Sequence, residues 1–280
     1  MTQPEQAQTD QPQPDGAALT GRLAMIGAGN MGRTILAGLL AAGVTPDQLA
    51  ASTRSQASAE RLAEELGIQT GTDNQAATAD AQIVVLAVKP KDVVATVADL
   101  DLTEGTVVVS VAAGISTAAI EAVAPGCHVV RVMPNTPAQQ REGMSGVSGG
   151  ASASEEHVAQ VVELMSAVGK AVVVPESQQD LVVAASGSGV AYLYLVAESM
   201  INAGVTLGLT RAAAAEMVVQ TFAGATAMLQ TGEHPAVLRE NVSSPGGTTV
   251  QALAQLEAHG IRTALLDAMT AARDASAGLG

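Results

Sequence analysis

Two glycine-bearing stretches, one near each end of the chain, have residue types and spacing suited to holding anions. The first is Leu23-Ala-Met-Ile-Gly27-Ala-Gly29-Asn30-Met31-Gly32, an apolar run broken by a G-x-G-x-x-G spacing and followed at once by a helical pattern. It reads as strand, tight turn and helix. In that arrangement the first glycine permits the turn, the second lets backbone approach a pyrophosphate, and the third lets the helix lie close on the strand. The unpaired N–H groups and positive dipole end of the helix then point at the phosphates. The second stretch is Asn241-Val-Ser-Ser244-Pro-Gly-Gly247-Thr248-Thr249. Here a helix expected from Thr248 offers free N–H groups flanked by hydroxyls, which suits a carboxylate or an ordinary capped turn.

The choice of dinucleotide is written about 20 residues after the first glycines, where an acid holds a ribose hydroxyl and an arginine a 2′-phosphate. This chain has Ser52-Thr53-Arg54-Ser55 and no acid there. A guanidinium with hydroxyl donors fits a phosphate, so the expectation is NADPH with NADH possible. Three loops at strand ends should complete the cleft: Ala87-Val88-Lys89-Pro90, Ala112-Ala113-Gly114 and Met133-Pro-Asn-Thr-Pro137. The small residues Ala112, Ala113 and Gly114 would let a flat nicotinamide lie against backbone, and Lys89 reads as a cofactor contact or a solvated cation. No metal site is expected, because no ligand spacing joins Cys127 to His128, His157, His234 or His259.

Positioning these groups is the work of two unlike halves. The 280 residues are 48% hydrophobic and 14% charged, enough for a large core without staples. A formal net charge of −14 without a basic run argues against nucleic acid and against anionic membrane surfaces. Residues 1–20 read as a tail, the Gln/Pro/Asp-rich stretch to Gly16 being disordered and unlike a signal peptide, and a cytoplasmic location is the expectation. From 21 to 175 the chain alternates strands and helices. Strands are expected at residues 23–26, 49–53, near 68, 82–88, 106–111 and 128–133, with looser ones at 143–150 and 171–174. Helices fall between them, at 33–42, 56–66, 91–100, 117–123 and 154–168. Continuous β-branched runs such as Ile83-Val-Val-Leu86 belong in a parallel sheet covered on both faces, and the alternation implies a doubly wound α/β fold.

From 176 to 280 no strand is expected. Helices are read at 178–185, 191–207, 211–230, 235–240, 248–259 and 261–277, with Thr210 and Gly232 as caps of the third. Residues 190–209 are long and apolar enough to suggest a membrane span, but Glu198 and Asn202 stand one turn apart in the middle, which favours a buried helix of a soluble protein. The third helix is apolar nearly all round, and a unit of about 100 residues can bury it only against another subunit.

Taken together, Gly27-Ala-Gly-Asn-Met-Gly32, Ala87-Val-Lys-Pro90, Arg131-Val-Met-Pro-Asn-Thr-Pro137, Ser186-Gly-Ser-Gly189 and above all Ser243-Ser-Pro-Gly-Gly-Thr-Thr249 resemble pyrroline-5-carboxylate reductases over nearly the whole chain after the tail. The resemblance implies a Rossmann-type doubly wound NADP-binding domain at 21–175 and an all-α dimerisation and substrate domain at 176–280, assembling as a homodimer at least and up to a decamer. It implies an oxidoreductase acting on a C=N bond, reducing 1-pyrroline-5-carboxylate to L-proline with NAD(P)H as the final step of proline biosynthesis. By resemblance Asn74 lies by the adenosine and Asn241 near the nicotinamide end. Ser244 and the amides of Gly247, Thr248 and Thr249 hold the substrate carboxylate, the Thr249 hydroxyl meets the ring nitrogen as the catalytic group, and Glu176 falls near the substrate. Val190 stands where such sequences usually carry proline. A protonated cyclic imine is already electrophilic, so positioning and water exclusion suffice and no His–acid pair is needed. Reductases of small hydroxy acids share only the first half and commonly carry a helical lysine absent here. A non-catalytic cofactor sensor would have no use for residues 244–249.

Overall fold

The computed structural model describes Leu19 and residues 21–278; the rest of the expected tail lies outside the described residues. The chain divides into two compact units, one formed by residues up to Val182 together with those from Ser276 on, the other by Val183–Ala275.

The first unit is built on an eight-stranded sheet in the order β3-β2-β1-β4-β5-β6-β7-β8. The strands are β1 (Leu23–Ile26), β2 (Leu49–Ser52), β3 (Gln69–Gly71), β4 (Ile83–Leu86), β5 (Val107–Ser110), β6 (His128–Met133), β7 (Gly143–Gly149) and β8 (Gly169–Val173). Pairing is parallel from β3 across to β6, antiparallel between β6 and β7, and parallel again between β7 and β8. The helices are α1 (Asn30–Ala41), α2 (Gln56–Leu66), α3 (Asn74–Thr78), α4 (Val93–Ala98), α5 (Thr117–Glu121), α6 (Glu155–Ser166) and α7 (Gln179–Val182). Every residue of β1, β2, β4 and β5 is buried, as their unbroken apolar runs require of strands covered on both faces. The pleat sorts side chains into two cores. Leu23 and Met25 face Ile35, Leu36, Leu62 and Met165, while Ala24 and Ile26 face Ala77, Val93, Val97 and Ile120. Each fully buried Leu, Ile or Val contributes about 1.5–3 kcal/mol. Local chemistry ends the helices where expected: Gly67 takes the left-handed φ of 68° after α2, and Ser55 caps its start by accepting from the Ser58 N–H.

The second unit contains α8 (Gly189–Thr206), α9 (Arg211–Gln230), α10 (Pro235–Asn241), α11 (Thr248–Ala258) and all but the last two residues of α12 (Ile261–Ala277), and no strand among the described residues. Thr210 caps α9 by accepting from the Ala213 N–H. The helices α8 and α9 pack closely at Gly204, where an added Cβ would meet Ala214 Cβ and Leu209 Cδ1, each at 3.3 Å. Two points differ from the sequence reading. The expected helix at 178–185 gives way to a π-helical turn at Val183–Gly187, with Ser188 N–H donating to the Val183 carbonyl at 2.7 Å, because glycines and serines relax the α spacing there. The expected burial of residues 190–209 is also absent within one chain: α8 has no buried residue, and Leu193, Tyr194, Leu195 and Met200 are exposed. The hydroxyl of its other tyrosine, Tyr192, is buried without a partner among the described residues. The runs Glu176–Thr206 and Arg211–Gln230 are long and apolar enough to cross a membrane, with 6% and 11% of their apolar windows buried. So little burial means these faces await a cover. Asn202, in the middle of the first run, accepts from Arg211 Nη2 at 3.2 Å.

Candidate active site

The strand order reverses between β1 and β4, and the crevice outside the carboxyl ends of strands at such a point is where open sheets bind ligands. A cleft of about 680 Å³ opens there, lined by Gly27, Ala28 and Gly29 after β1, Ser52, Thr53 and Arg54 after β2, Thr72 and Asn74 after β3, and Ala87, Val88 and Lys89 after β4. Ser58, Asp92, Ala95, Thr96 and Asp99 close its side. The volume is that of an ordinary ligand pocket.

Each of the three glycines has a separate physical reason. Gly27 turns the chain at φ 81°, and a Cβ there would lie 2.6 Å from Val88 Cγ1. At Gly32 a Cβ would press on Met25 Cγ and Sδ at 3.1 Å, so this glycine seats α1 on β1. A Cβ at Gly29 would instead meet nothing closer than the Gly27 carbonyl at 3.9 Å, so the space beside it is open cleft. Gly29 is also the N-cap of α1 and brings no side chain to its first N–H groups, those of Asn30, Met31 and Gly32. An uncapped helix start beside open space, with an arginine on the cleft wall, fits a phosphorylated dinucleotide.

Of the other expected residues only some line this cleft, and Ser55, Pro90, Ala112, Ala113 and Gly114 do not. Asn74 lines the cleft and is oriented by Ser52, whose Oγ donates to Asn74 Oδ1 at 2.6 Å. Ser55 serves as the cap of α2 and does not line the cleft. Pro90 opens a short 3-10 turn, Pro90–Asp92. Ala112, Ala113 and Gly114 follow β5, with Ala112 buried, its N–H donating to Ser110 Oγ at 3.4 Å, and Gly114 at φ 77°. Arg54 is a well-exposed side chain, 3.7 Å from Asp92. That carboxylate, with Thr72, Ala95, Thr96 and Asp99, was not expected as part of the cleft. Glu176 is held by its own unit: Oε1 accepts from the Thr117 N–H at 2.7 Å and Oε2 from the Thr117 hydroxyl at 2.6 Å. The buried Arg131 guanidinium stands 3.5 Å away. Glu176 thus ties the start of α5, just past Ala112–Gly114, to β6.

In the helical unit Asn241 ends α10, and Ser244, Gly247, Thr248 and Thr249 lie together at the start of α11. Gly246 makes the turn at φ 69°, and the Gly247 N–H donates to the Ser244 carbonyl at 2.9 Å. Gly247 is the N-cap of α11 and no side chain caps it, so Thr249 is not the cap. The N–H groups left free at this helix start are those of Thr248, Thr249 and Val250. A groove along α9, lined by Ala213, Ala215, Met217 and Val219 with Glu216, Gln220 and Thr221, belongs to the largely apolar exposed face of that helix. Cys127 is buried, which pushes its thiol pKa up and leaves it unreactive. No cluster able to hold a metal occurs among the described residues.

Two family models match the chain. Residues 176–279 match the family model for pyrroline-5-carboxylate reductase dimerisation, and residues 22–114 match that for NADP oxidoreductase, coenzyme F420-dependent. The pyrroline-5-carboxylate reductase of Corynebacterium melassecola is 44% identical over 265 residues, covering 92% of this chain and 98% of its own. That of Escherichia coli is 37% identical, covering 89% and 94%. A pyrroline-5-carboxylate reductase structure from Coxiella burnetii superposes with a TM-score of 0.88 at 35% identity, over 93% of this chain and 99% of that one. The Plasmodium falciparum pyrroline carboxylate reductase, solved with NADP bound, gives 0.83 at 27% identity over 93% and 98%. With a nucleotide-type cleft at the switch point, an uncapped Ser-Ser-Pro-Gly-Gly helix start and relatives at this identity over almost the full length, the chain belongs to the pyrroline-5-carboxylate reductase family.

Proposed function

We propose that this protein reduces 1-pyrroline-5-carboxylate to L-proline with NADPH, accepting NADH less well, as the last step of proline biosynthesis. The observation that carries the reading is the uncapped start of α11 behind Ser244-Pro-Gly-Gly247, a preformed carboxylate cradle in a chain that also has a dinucleotide cleft. The reduced nicotinamide, when bound, supplies the hydride that adds to the imine carbon. The chain's own part is to hold and orient. Gly27, Gly29 and the N–H groups of Asn30, Met31 and Gly32 take the pyrophosphate. Arg54 takes the 2′-phosphate, with Ser55 capping the helix that follows, and Asn74 takes the adenosine side. Ala87, Val88, Lys89 and Pro90, with Ala112, Ala113, Gly114 and Asn241, serve the nicotinamide half. Ser244 and the amides of Thr248 and Thr249 hold the substrate carboxylate, while Gly247, whose own N–H donates to the Ser244 carbonyl, shapes the turn beneath it. The Thr249 hydroxyl engages the ring nitrogen, fixing the face of the imine presented. Glu176 acts near the substrate, its carboxylate already ordered by Thr117 and Arg131.

On this reading residues 21–175 are the cofactor domain and 176–280 the substrate and dimerisation domain, with homodimers stacking as far as a decamer. The same proposal places the protein in the cytoplasm, off membranes and nucleic acid. The deciding experiment is NADPH consumption with synthetic pyrroline-5-carboxylate and chromatographic detection of proline. Turnover of a hydroxy acid instead, or cofactor binding without any turnover, would overturn the assignment.

A further inference from the structure

The cleft that accepts the dinucleotide carries charged side chains of both signs, Arg54 and Lys89 against Asp92 and Asp99. Asp92 is placed unusually. It ends the Pro90–Asp92 turn and occupies the N-cap position of α4. A capping aspartate has extended backbone, whereas here the 3-10 turn runs directly into α4 and the carboxylate is not drawn to the helix N–H groups. At φ −99° and ψ −11° it makes no capping bond, and its Oδ2 instead lies 3.7 Å from Arg54 Nη2. Residues 38 positions apart in sequence are thereby paired across the cleft wall, and the aspartate is available to compete for the guanidinium.

We propose that Asp92 sets the balance between phosphorylated and unphosphorylated dinucleotide by competing with the 2′-phosphate for Arg54. This rests on the reading of Arg54 as the 2′-phosphate anchor. A 2′-phosphate must take the guanidinium away from the carboxylate and then remain near that carboxylate, so its gain is partly cancelled. A ribose hydroxyl makes no such demand and carries no charge to be repelled. The arginine supplies preference for NADPH, the aspartate moderates it, and NADH is retained as a usable ligand. The pair is exposed to solvent, so the moderation is a matter of several-fold rather than thousands-fold.

The test is calorimetric or fluorescence titration of the intact protein with NADPH and with NADH at low salt, independent of turnover. Asp92→Asn is expected to tighten NADPH about 3- to 5-fold, the upper end for an exposed charge pair, and to leave NADH within about twofold. No change for NADPH, or equal tightening of both, overturns the proposal. In an Arg54→Ala background the same substitution should lose most of its effect on NADPH; retention of the whole effect means the carboxylate acts without the guanidinium and also overturns it. Arg54→Ala alone should weaken NADPH about 10-fold or more with NADH little changed. Should it leave NADPH untouched, the anchor itself is lost, a failure distinguishable from that of Asp92 alone.

Discussion

Thr249 is the residue whose proposed role a single substitution tests most sharply. Gly247, not Thr249, is the N-cap of α11, and the threonine sits at the second helical position with its amide free. Removing its hydroxyl therefore costs the helix no cap. Thr249→Ala should lower kcat and kcat/KM together by about 10-fold or more, at least about 1.4 kcal/mol of transition-state stabilisation, with Tm unchanged. A raised KM at preserved kcat would mean a ground-state contact, and a lower Tm with intact kinetics would return the hydroxyl to a structural role. At this scale the turn at Gly27, the close packing at Gly32 and the helix start after residues 243–247 were legible because their spacing within one loop carries the signal. The Arg54–Asp92 pair and the ties from Glu176 to Thr117 and Arg131 were not, since each joins residues that only the fold brings together.

Among the elements, α6 contains a titrating cap. Ser154 accepts from the His157 N–H, and the Ser154 N–H donates back to His157 Nδ1 at 3.1 Å, a reciprocal pair that needs a lone pair on that nitrogen. The His157 ring also stacks on His128, centroids 3.9 Å apart. Partial burial, then the neighbouring His128, lower the His157 pKa below its ordinary 6.5, against a small opposing pull from Glu156. With the folded-state value below the unfolded one, the unfolded chain binds the proton first as pH falls. The associated stability is present above about pH 6.5 and is lost below it, through the lower folded value. His157→Gln, which can keep the reciprocal cap without titrating, should shrink the loss of Tm between about pH 7.5 and 5.5. An equal loss in both proteins would place the pH dependence elsewhere. Strands with continuous apolar runs were readable to within a residue or two, and so were helices with caps, such as α2 and α9. The five residues of α3 were missed because they are too few to show a period, and the π turn because its Ser-Gly-Ser-Gly sequence signals a break without saying which kind.

For the whole molecule, the exposed apolar faces of α8 and α9 and the match to a dimerisation family at residues 176–279 make one chain an incomplete unit. Light scattering at micromolar protein should give at least twice the 27.9 kDa chain mass. A stable soluble monomer would contradict this. The need for a partner was legible in the sequence because α9 has no polar face to turn to water. The extent of assembly was not, because it depends on surfaces that carry no repeating pattern. The placement of the two tyrosines has an optical consequence. The chain has no tryptophan, and Tyr192 and Tyr194 both lie on α8, the second 65% exposed. Emission excited in the tyrosine band, beyond the absorption of the single phenylalanine, therefore comes only from this helix, and covering Tyr194 moves one of its two phenols from water into an apolar surround. Association can be followed without a label in one spectral window while the reduced nicotinamide is followed in another.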